Sequence, residues 1–582
     1  MSIEENNENL SLNATINKEE SEIISKDWTV MIYMAGDNNL SADMAYALAD
    51  IGNVRNEDLN LMVYYDSAAR GAPTLYCDFT DSDKPVFVPS HLIKKNFNLR
   101  GKKGNAIRFD ENSASAYSLM NFVDWCVNDS EIQVEVNGVI EKKKHKGRRA
   151  KRYALILSGH SSGFLNMSLL MDTDSNFFMT VPKLRWALEQ ITKKEAFKNN
   201  IPLLKQEIGI LGFDSCVMGM AELGYEFRNV AKTMVASEGS IPSAGWTYGN
   251  ILAEQVSKYY SAKSADSIDS IPGTQDEKIM ATGFVRDFIE KQNDYLIGGV
   301  SVDLSVWDLS KIKPVISAVN ELGTELTRKL KGDSVKTRER LKRAIIYSHW
   351  ECQSYMSEQN IDLKDFCQLL RKNIESLYAD DSFFDDTEVI LECCRKVIET
   401  VDSCILLAGF SGGNYQYSNG ISLFFPWTEL SYKSSLKSYL DLQALENNKE
   451  SMPQNAVNME KWNEFLQEFT GSISLREGRQ QKAKSTQSPG ADEGFPVNEE
   501  NPDSNEFYPP ENVRHNPLLQ NDRHNPLLQN DRHNPLLQND RGLQLFLMNQ
   551  FKNTRTPWNI SGFTKAIAKD EGKYVTKKGD QG

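Results

Sequence analysis

Two stretches decide the fold: Tyr153-Ala-Leu-Ile-Leu-Ser158, running into Gly159-His160-Ser161-Ser162-Gly163, and Ile208-Gly-Ile-Leu-Gly-Phe213, running into Asp214-Ser215-Cys216. Each is a short apolar run closed by small turn residues, the pattern of a strand buried on both faces of a parallel sheet. Working outward, Trp28-Thr-Val-Met-Ile-Tyr-Met-Ala35, Leu61-Met-Val-Tyr-Tyr65 and Thr233-Met-Val-Ala236 repeat the pattern. Amphipathic stretches near 115–127, 181–192 and 217–229 lie between the runs. Strand and helix alternating in this way predict an α/β/α sandwich with a mostly parallel central sheet. In open α/β sheets chemistry collects where the strands end, and here an imidazole and a thiol follow two such ends.

The 582-residue chain has room for more than one domain, and its formal net charge of −14 argues against nucleic acid as the main partner. No apolar run reaches membrane-spanning length, and Met1-Ser-Ile-Glu-Glu-Asn-Asn-Glu8 does not read as a secretory signal. The expectation is a cytoplasmic protein, or one exported without a recognisable signal, with no membrane partner. Eight cysteines with no C-x-x-C pair predict neither a disulfide framework nor a zinc site, so no metal ligand is assigned.

Residues 1–26 are Asn-, Glu- and Ser-rich and read as disordered. The strand–helix alternation fills 27–260 as a catalytic domain. It is interrupted at 131–152 by an Asn137-Gly138 hairpin and the basic run Glu141-Lys-Lys-Lys-His-Lys-Gly-Arg-Arg-Ala-Lys-Arg152, read as a solvated loop. After a Ser/Asp-rich loop at 261–277, residues 282–470 form a C-terminal α/β region with helices at 310–330, 336–347 and 362–378. Residues 471–582 read as a disordered tail carrying a nine-residue motif three times over 514–540, its partners unknown.

Of seven histidines, three lie in the repeats and His145 in the basic run, leaving His91, His160 and His349. Only His160 follows an apolar strand among Gly and Ser. Cys216 stands at the predicted start of the 217–229 helix, where free N–H groups favour a thiolate. Its own N–H, with one from the His160 turn, could hold an oxyanion. Asp214 reads either as a helix cap or as the floor of a pocket for a cationic side chain. Gly159-His-Ser-Ser-Gly163 also matches G-x-S-x-G, which would make Ser161 the nucleophile of a serine α/β-hydrolase, with His349 as its histidine.

Trp28 to Leu40, the His160 turn, Phe213-Asp-Ser-Cys-Val-Met-Gly219, Ala236-Ser-Glu238 leading to Gly245-Trp-Thr-Tyr248, Val302-Asp-Leu-Ser305 and Gly420-Ile-Ser-Leu-Phe-Phe-Pro426 together resemble the clostripain-like cysteine peptidases. The resemblance runs over roughly 27–470. It implies a caspase-like fold and cleavage after Arg or Lys, with His160 as base, Cys216 as nucleophile and Asp214 at the pocket floor. Ser161 and Ser237 would join Asp214 in binding substrate. The resemblance also implies protein or peptide substrates and no required cofactor, and it leaves room for calcium dependence and self-cleavage. Lys142–Arg152 and Lys193-Lys194 are the candidate cut sites. The chain departs from the family pattern at Ser161, usually Gly, and at Gly159, usually acidic. An inactive caspase-like scaffold that recruits partners stays open as the non-enzyme alternative.

Overall fold

A computed structural model describes residues 26–54, 59–69, 71–81, 83–97, 110–136, 139–165, 169–193, 203–255, 275–295, 301–332, 335–356, 359–377, 384–445 and 458–474. Along the chain the strands are β1 (Trp28–Gly36), β2 (Leu59–Ser67), β3 (Leu75–Asp78), β4 (Val86–Pro89), β5 (Ser130–Val136), β6 (Val139–His145), β7 (Arg152–Ser158), β8 (Ile208–Asp214), β9 (Ala231–Ala236) and β10 (Val302–Asp308). A nine-stranded sheet runs in the order Ile405–Ser411, β10, β9, β8, β7, β1, β2, β3, β4. Its centre, β9 to β2, is parallel, whereas β3–β4 at one edge and β10 with Ile405–Ser411 at the other are antiparallel. The expected mostly parallel sheet is therefore present, and residues from 282–470 complete one of its edges.

Alternation along β1 explains the layers. Met31, Tyr33 and Ala35 face a core shared with helices Ala116–Val127 and Val181–Thr192, while Val30, Ile32 and Met34 face helices Ser41–Gly52 and Gln275–Tyr295. Successive side chains of a strand point to opposite faces, so a run apolar at every position needs a helix layer on each side. The helices begin where local chemistry says they should. Ser115 Oγ accepts from Tyr117 N–H, and Thr180 Oγ1 accepts from Lys183 N–H, with Pro182 in the first turn.

From β1 the chain builds outward to β2, then returns to β7 on the other side and continues through β8 and β9. The direction of winding thus reverses between β1 and β7, and the carboxyl ends at such a reversal frame a crevice. Helices Ile312–Gly332, Val335–Glu351, Leu363–Leu377, Phe384–Cys404 and Glu460–Ser474 extend the core on the Ala116–Val127 face. Beside them lies a small sheet of Ser354–Tyr355, Asn360–Asp362 and Ser422–Phe424.

Three expectations need correction. The helix read at 217–229 spans only Ala221–Phe227, because Val217 N–H and Gly219 N–H are committed to Gly239 O and Ser237 O. The loop read at 261–277 ends earlier, with a helix from Gln275. The solvated basic loop is in part strand β6, paired with β5 from Ser130↔His145 to Val136↔Val139. The Asn137-Gly138 turn itself, the N-terminal segment 1–25, the tail beyond 474 and its repeats lie outside the described residues.

Candidate active site

Strands β7 and β8 are parallel neighbours with Ser158 opposite Asp214, and Gly159 N–H extends the ladder to Asp214 O (3.2 Å). Two residues beyond this pair stand His160 and Cys216. Both therefore leave the same edge of the sheet from adjacent strands, which is where the sequence reading puts them.

His160 is half-buried, and its Nε2 lies 2.6 Å from Asn39 Oδ1, in the turn after β1. A carboxamide oxygen only accepts, so this contact places a proton on Nε2; in the neutral imidazole Nδ1 then carries the lone pair, the form a general base requires. The His160 carbonyl accepts from Leu170 N–H (3.0 Å). Asn39 escaped the sequence reading, because a polar residue in an exposed turn carries no periodic signal.

All eight cysteines are free, and only Cys216 is not buried. It does not start a helix. Val217 has φ 58°, and the backbone from 217 to 219 runs beside the 237–239 segment instead. Gly219 is needed for that approach, since a Cβ there would lie 2.8 Å from the Ser237 carbonyl carbon. The expected helix N-terminus is thus displaced, and with it the expected thiolate stabilisation. Although its side chain is part-exposed, desolvation of the sulfur by its surroundings pushes the Cys216 thiol above its usual range, partly offset by Ile241 N–H, which donates to Sγ at 3.3 Å. A resting thiol rather than a thiolate makes a nearby base necessary.

Asp214 is almost fully buried below Cys216. Its Oδ2 accepts from Ser158 Oγ and Tyr248 Oη, both at 2.8 Å, while Oδ1 makes no hydrogen bond. Burial pushes its carboxyl up to about 6 against the help of Tyr248, Ser158 and the Trp246 backbone. No basic side chain among the described residues forms an ion pair with it. Gly245 stands over it at φ 67°, and a Cβ there would lie 2.6 Å from Asp214 Oδ2. Because the helix starts at Ala221, the helix-cap reading of Asp214 is excluded.

The hydroxyls of the two serines are both engaged within the protein. Ser161 Oγ donates to Met218 Sδ (2.9 Å) and accepts from Gly163 N–H (3.1 Å). Ser237 is fully buried, its hydroxyl 3.0 Å from Asp303 Oδ1 and 3.1 Å from Gly239 O. Asp303, in β10, also accepts from Glu238 N–H (2.8 Å) and Gly239 N–H (2.9 Å), so it carries the whole loop that presents Ile241 to the thiol.

The hydrolase elbow does not form. Among the described residues no helix follows Gly163 before Val181, and His349 lies buried against Trp427, its Nε2 bonded to Phe425 O (2.6 Å). The basic run is also held fast. Lys142 pairs with Glu131 (2.8 Å), Arg148 with Asp78 (2.9 Å), Lys151 with Asp27 (2.7 Å) and Arg152 with Asp276, and His145 stacks on Trp125. Burial lowers the His145 imidazole to about 4, as befits a core side chain. Among the described residues, no helix is long and apolar enough to cross a membrane.

Comparison with known proteins supplies the family. Residues 32–472 match the clostripain family of C11 peptidases. Clostripain of Hathewaya histolytica is 23% identical over 446 residues, covering 70% of this chain and 76% of that protein. An inactive zymogen C11 protease from Parabacteroides distasonis is 18% identical, covers 72% of this chain and 96% of its own, and superposes with a TM-score of 0.45. A secreted C11 cysteine protease from Bacteroides thetaiotaomicron, solved with an irreversible peptide inhibitor, is 16% identical over 72% and 97% of the two chains, with a TM-score of 0.41.

Proposed function

The chain belongs to the clostripain family and is a cysteine endopeptidase, and from this premise we propose that it cuts after arginine, and second after lysine, through His160 and Cys216. The observation that carries the specificity is Asp214, a buried carboxylate with an uncommitted oxygen two residues before the nucleophile. A guanidinium or ammonium entering beside Gly245 would supply the counter-charge that this carboxylate lacks. Arg is favoured over Lys because its planar fork can bond a carboxylate twice.

In the reaction, Nδ1 of His160 takes the Cys216 proton as Sγ attacks the carbonyl carbon of the substrate. The resulting oxyanion is held by the Cys216 N–H and one from the His160 turn. The imidazolium then protonates the departing amine, leaving a thioester that water hydrolyses with the imidazole again as base. No step needs a cofactor. For self-cleavage we retain Lys193-Lys194, since Lys142 to Arg152 is paired and half in strand.

The test is hydrolysis of Arg-, Lys- and Asp-ended fluorogenic peptides by wild type and Asp214→Asn. Arg should lead, and the substitution should lower kcat/KM for Arg and Lys by about a hundredfold or more, two charge-assisted bonds being lost. A wild type that prefers Asp or large apolar residues would falsify the pocket assignment.

A further inference from the structure

Behind the Cys216 turn lies a closed pocket of acidic side chains that the peptide-cutting chemistry does not use. Glu238 follows β9, Asp303 lies in β10, and Asp362 ends the strand Asn360–Asp362 of the small sheet. Glu238 and Asp362 have no exposed surface, and Asp303 has almost none. No Lys or Arg among the described residues forms an ion pair with any of them. The other titratable groups that face them are Asp365, Tyr355, Tyr415 and the thiols of Cys216 and Cys367, none of which carries positive charge.

The donors around these carboxyls leave one oxygen over. Asp303 Oδ1 accepts from Ser237 Oγ (3.0 Å) and Gly239 N–H (2.9 Å), and its Oδ2 from Glu238 N–H (2.8 Å). Asp362 Oδ1 accepts from Asp365 N–H (2.7 Å) and Asn419 Nδ2 (3.1 Å), and its Oδ2 from Asn419 N–H. Glu238 Oε2 accepts from Gly420 N–H (2.7 Å), but Oε1 has no donor. The consecutive amides of Asn419 and Gly420 thus draw the two side chains together, within hydrogen-bond reach of each other. Gly420 makes this turn at φ 103°, and a Cβ there would lie 2.9 Å from Ser305 Cβ. Two bare carboxylates in contact repel in a dry pocket, so one of them holds a proton. Asp362, with N–H donors on both oxygens, is the better carboxylate, which leaves Glu238 as the acid. Burial, then the charges of Asp362 and Asp303, raise the Glu238 carboxyl well above its ordinary range. Burial raises Asp362 as well, to about 7, against its N–H donors.

We propose that Glu238 is a positioning residue for Cys216, acting as a neutral acid whose Oε1–H donates to the Asp362 carboxylate. That bond joins the 237–239 segment to the small sheet, and both hold the turn of the nucleophile. Val217 N–H and Gly219 N–H bond Gly239 O (2.8 Å) and Ser237 O (2.7 Å). The Gly219 carbonyl in turn accepts from Ser422 N–H (2.8 Å) and Ser422 Oγ (3.0 Å), and Ser422 is paired with Asp362 across the small sheet. The carboxyl pair therefore closes a ring that runs through the Cys216 turn, and loss of its proton opens the ring at that bond. The folded protein holds this proton more tightly than the unfolded chain, where the ordinary value is 4.5. Its contribution to stability is complete below about 4.5 and is lost as pH rises through the folded value. The positioning half rests on Cys216 being the nucleophile; the shared proton does not.

The test sets Glu238→Gln, whose amide can donate to Asp362 and still accept from Gly420 N–H, against Glu238→Ala, which can do neither. In full-length Cys216→Ala protein at neutral pH, the infrared spectrum should contain a neutral-carboxyl stretch that Glu238→Gln removes. The melting temperature of Glu238→Gln should rise relative to wild type as pH increases, because the amide has no proton to lose. On an Arg-ended peptide Glu238→Gln should keep kcat within about threefold of wild type, and Glu238→Ala should lower it about a hundredfold with little change in KM. Alkylation of Cys216 by iodoacetamide, this being the one cysteine that is not buried, should change about tenfold in Glu238→Ala and stay near wild type in Glu238→Gln. Asp362→Asn, which turns an amide donor toward N–H groups, should behave like Glu238→Ala and replaces it if the alanine variant does not fold. No neutral-carboxyl stretch, or a melting difference that does not grow with pH, overturns the shared proton. A glutamine variant as slow as the disrupting one, or a disrupting variant with wild-type kcat and alkylation rate, overturns the positioning role. A protein that shows the stretch but cuts no basic peptide would count against the function above and leave the shared proton standing.

Discussion

The turns after β7 and β8 leave neighbouring strands at one edge of the sheet, yet they are held by opposite halves of the chain. The His160 turn leans on the N-terminal side, through Asn39 after β1 and Leu170 in its own continuation. The Cys216 turn leans on the C-terminal side. Its backbone runs beside the 237–239 segment, which hangs from Asp303 in β10, Ser240 N–H donates to Tyr415 Oη (3.1 Å), and Met220 pairs with Ser422. The imidazole's bond to Asn39 rests on an exposed residue, whereas the turn that bears the thiol hangs on a mostly buried scaffold. In the dyad proposed above, His160 is thus the more adjustable partner and Cys216 the more fixed one, because a solvent-side contact costs less to break than a buried network.

The sharpest way to break this comparison is to remove either reacting group. Cys216→Ala and His160→Ala should each lower kcat by several orders of magnitude, whereas Ser161→Ala should stay close to wild type. Activity that survives Cys216→Ala and dies with Ser161→Ala would instead restore the serine reading.

The next test sets the two tethers against each other. Asp303→Ala strips the acceptor from the Ser237 hydroxyl and the Glu238 and Gly239 amides, so it should cost about 3 kcal/mol or more in denaturant unfolding and about a hundredfold in kcat. Asn39→Ala, at an exposed position, should leave stability nearly unchanged and lower kcat about tenfold at constant KM. Equal effects on stability would mean that the two turns are not held differently.

The smallest effect is the pH dependence of Asp214. Its folded value near 6 lies above the ordinary 3.8, so the folded protein holds this proton more tightly than the unfolded chain. The stabilisation is complete below about 4 and is lost as pH rises through about 6. At pH 8 Asp214→Asn should therefore be more stable than wild type by about 1–3 kcal/mol, a gain that vanishes below about pH 4. A melting-temperature series across that range decides it. If Asp214 is the floor of the proposed pocket, this destabilisation of the free protein is a cost expected of a binding site.

Much of the fold was legible because the central strands are buried on both faces and so lack polar interruption. The edges were harder to read. β3 and β4 are four residues each, and Ile405-Leu-Leu-Ala-Gly-Phe-Ser411 follows Cys404 with no turn residue to mark where the helix ends. The helix read at 217–229 failed for a different reason. Val217 and Gly219 are weak helix formers, and their amides find fixed partners in a segment some twenty residues on. Asn39 and Asp303 could not be read as supports of the site, since each acts through a residue more than sixty positions away.

What the sequence determined by itself is the pair of strand ends, and with them the residues His160, Asp214 and Cys216. Apolar runs closed by Gly, Ser and Asp dictate where a buried strand stops, and a side chain placed there must stand at the sheet edge. What only the tertiary structure decided is the state in which those residues are held. The proton on His160 Nε2, the thiol raised by burial and the uncommitted oxygen of Asp214 all depend on neighbours brought in from β1, β10 and the 240–248 segment. The physical reason is range. Hydrophobic periodicity is written into a few consecutive residues, whereas a hydrogen bond or a desolvation cost depends on atoms that the chain brings together only once it has folded.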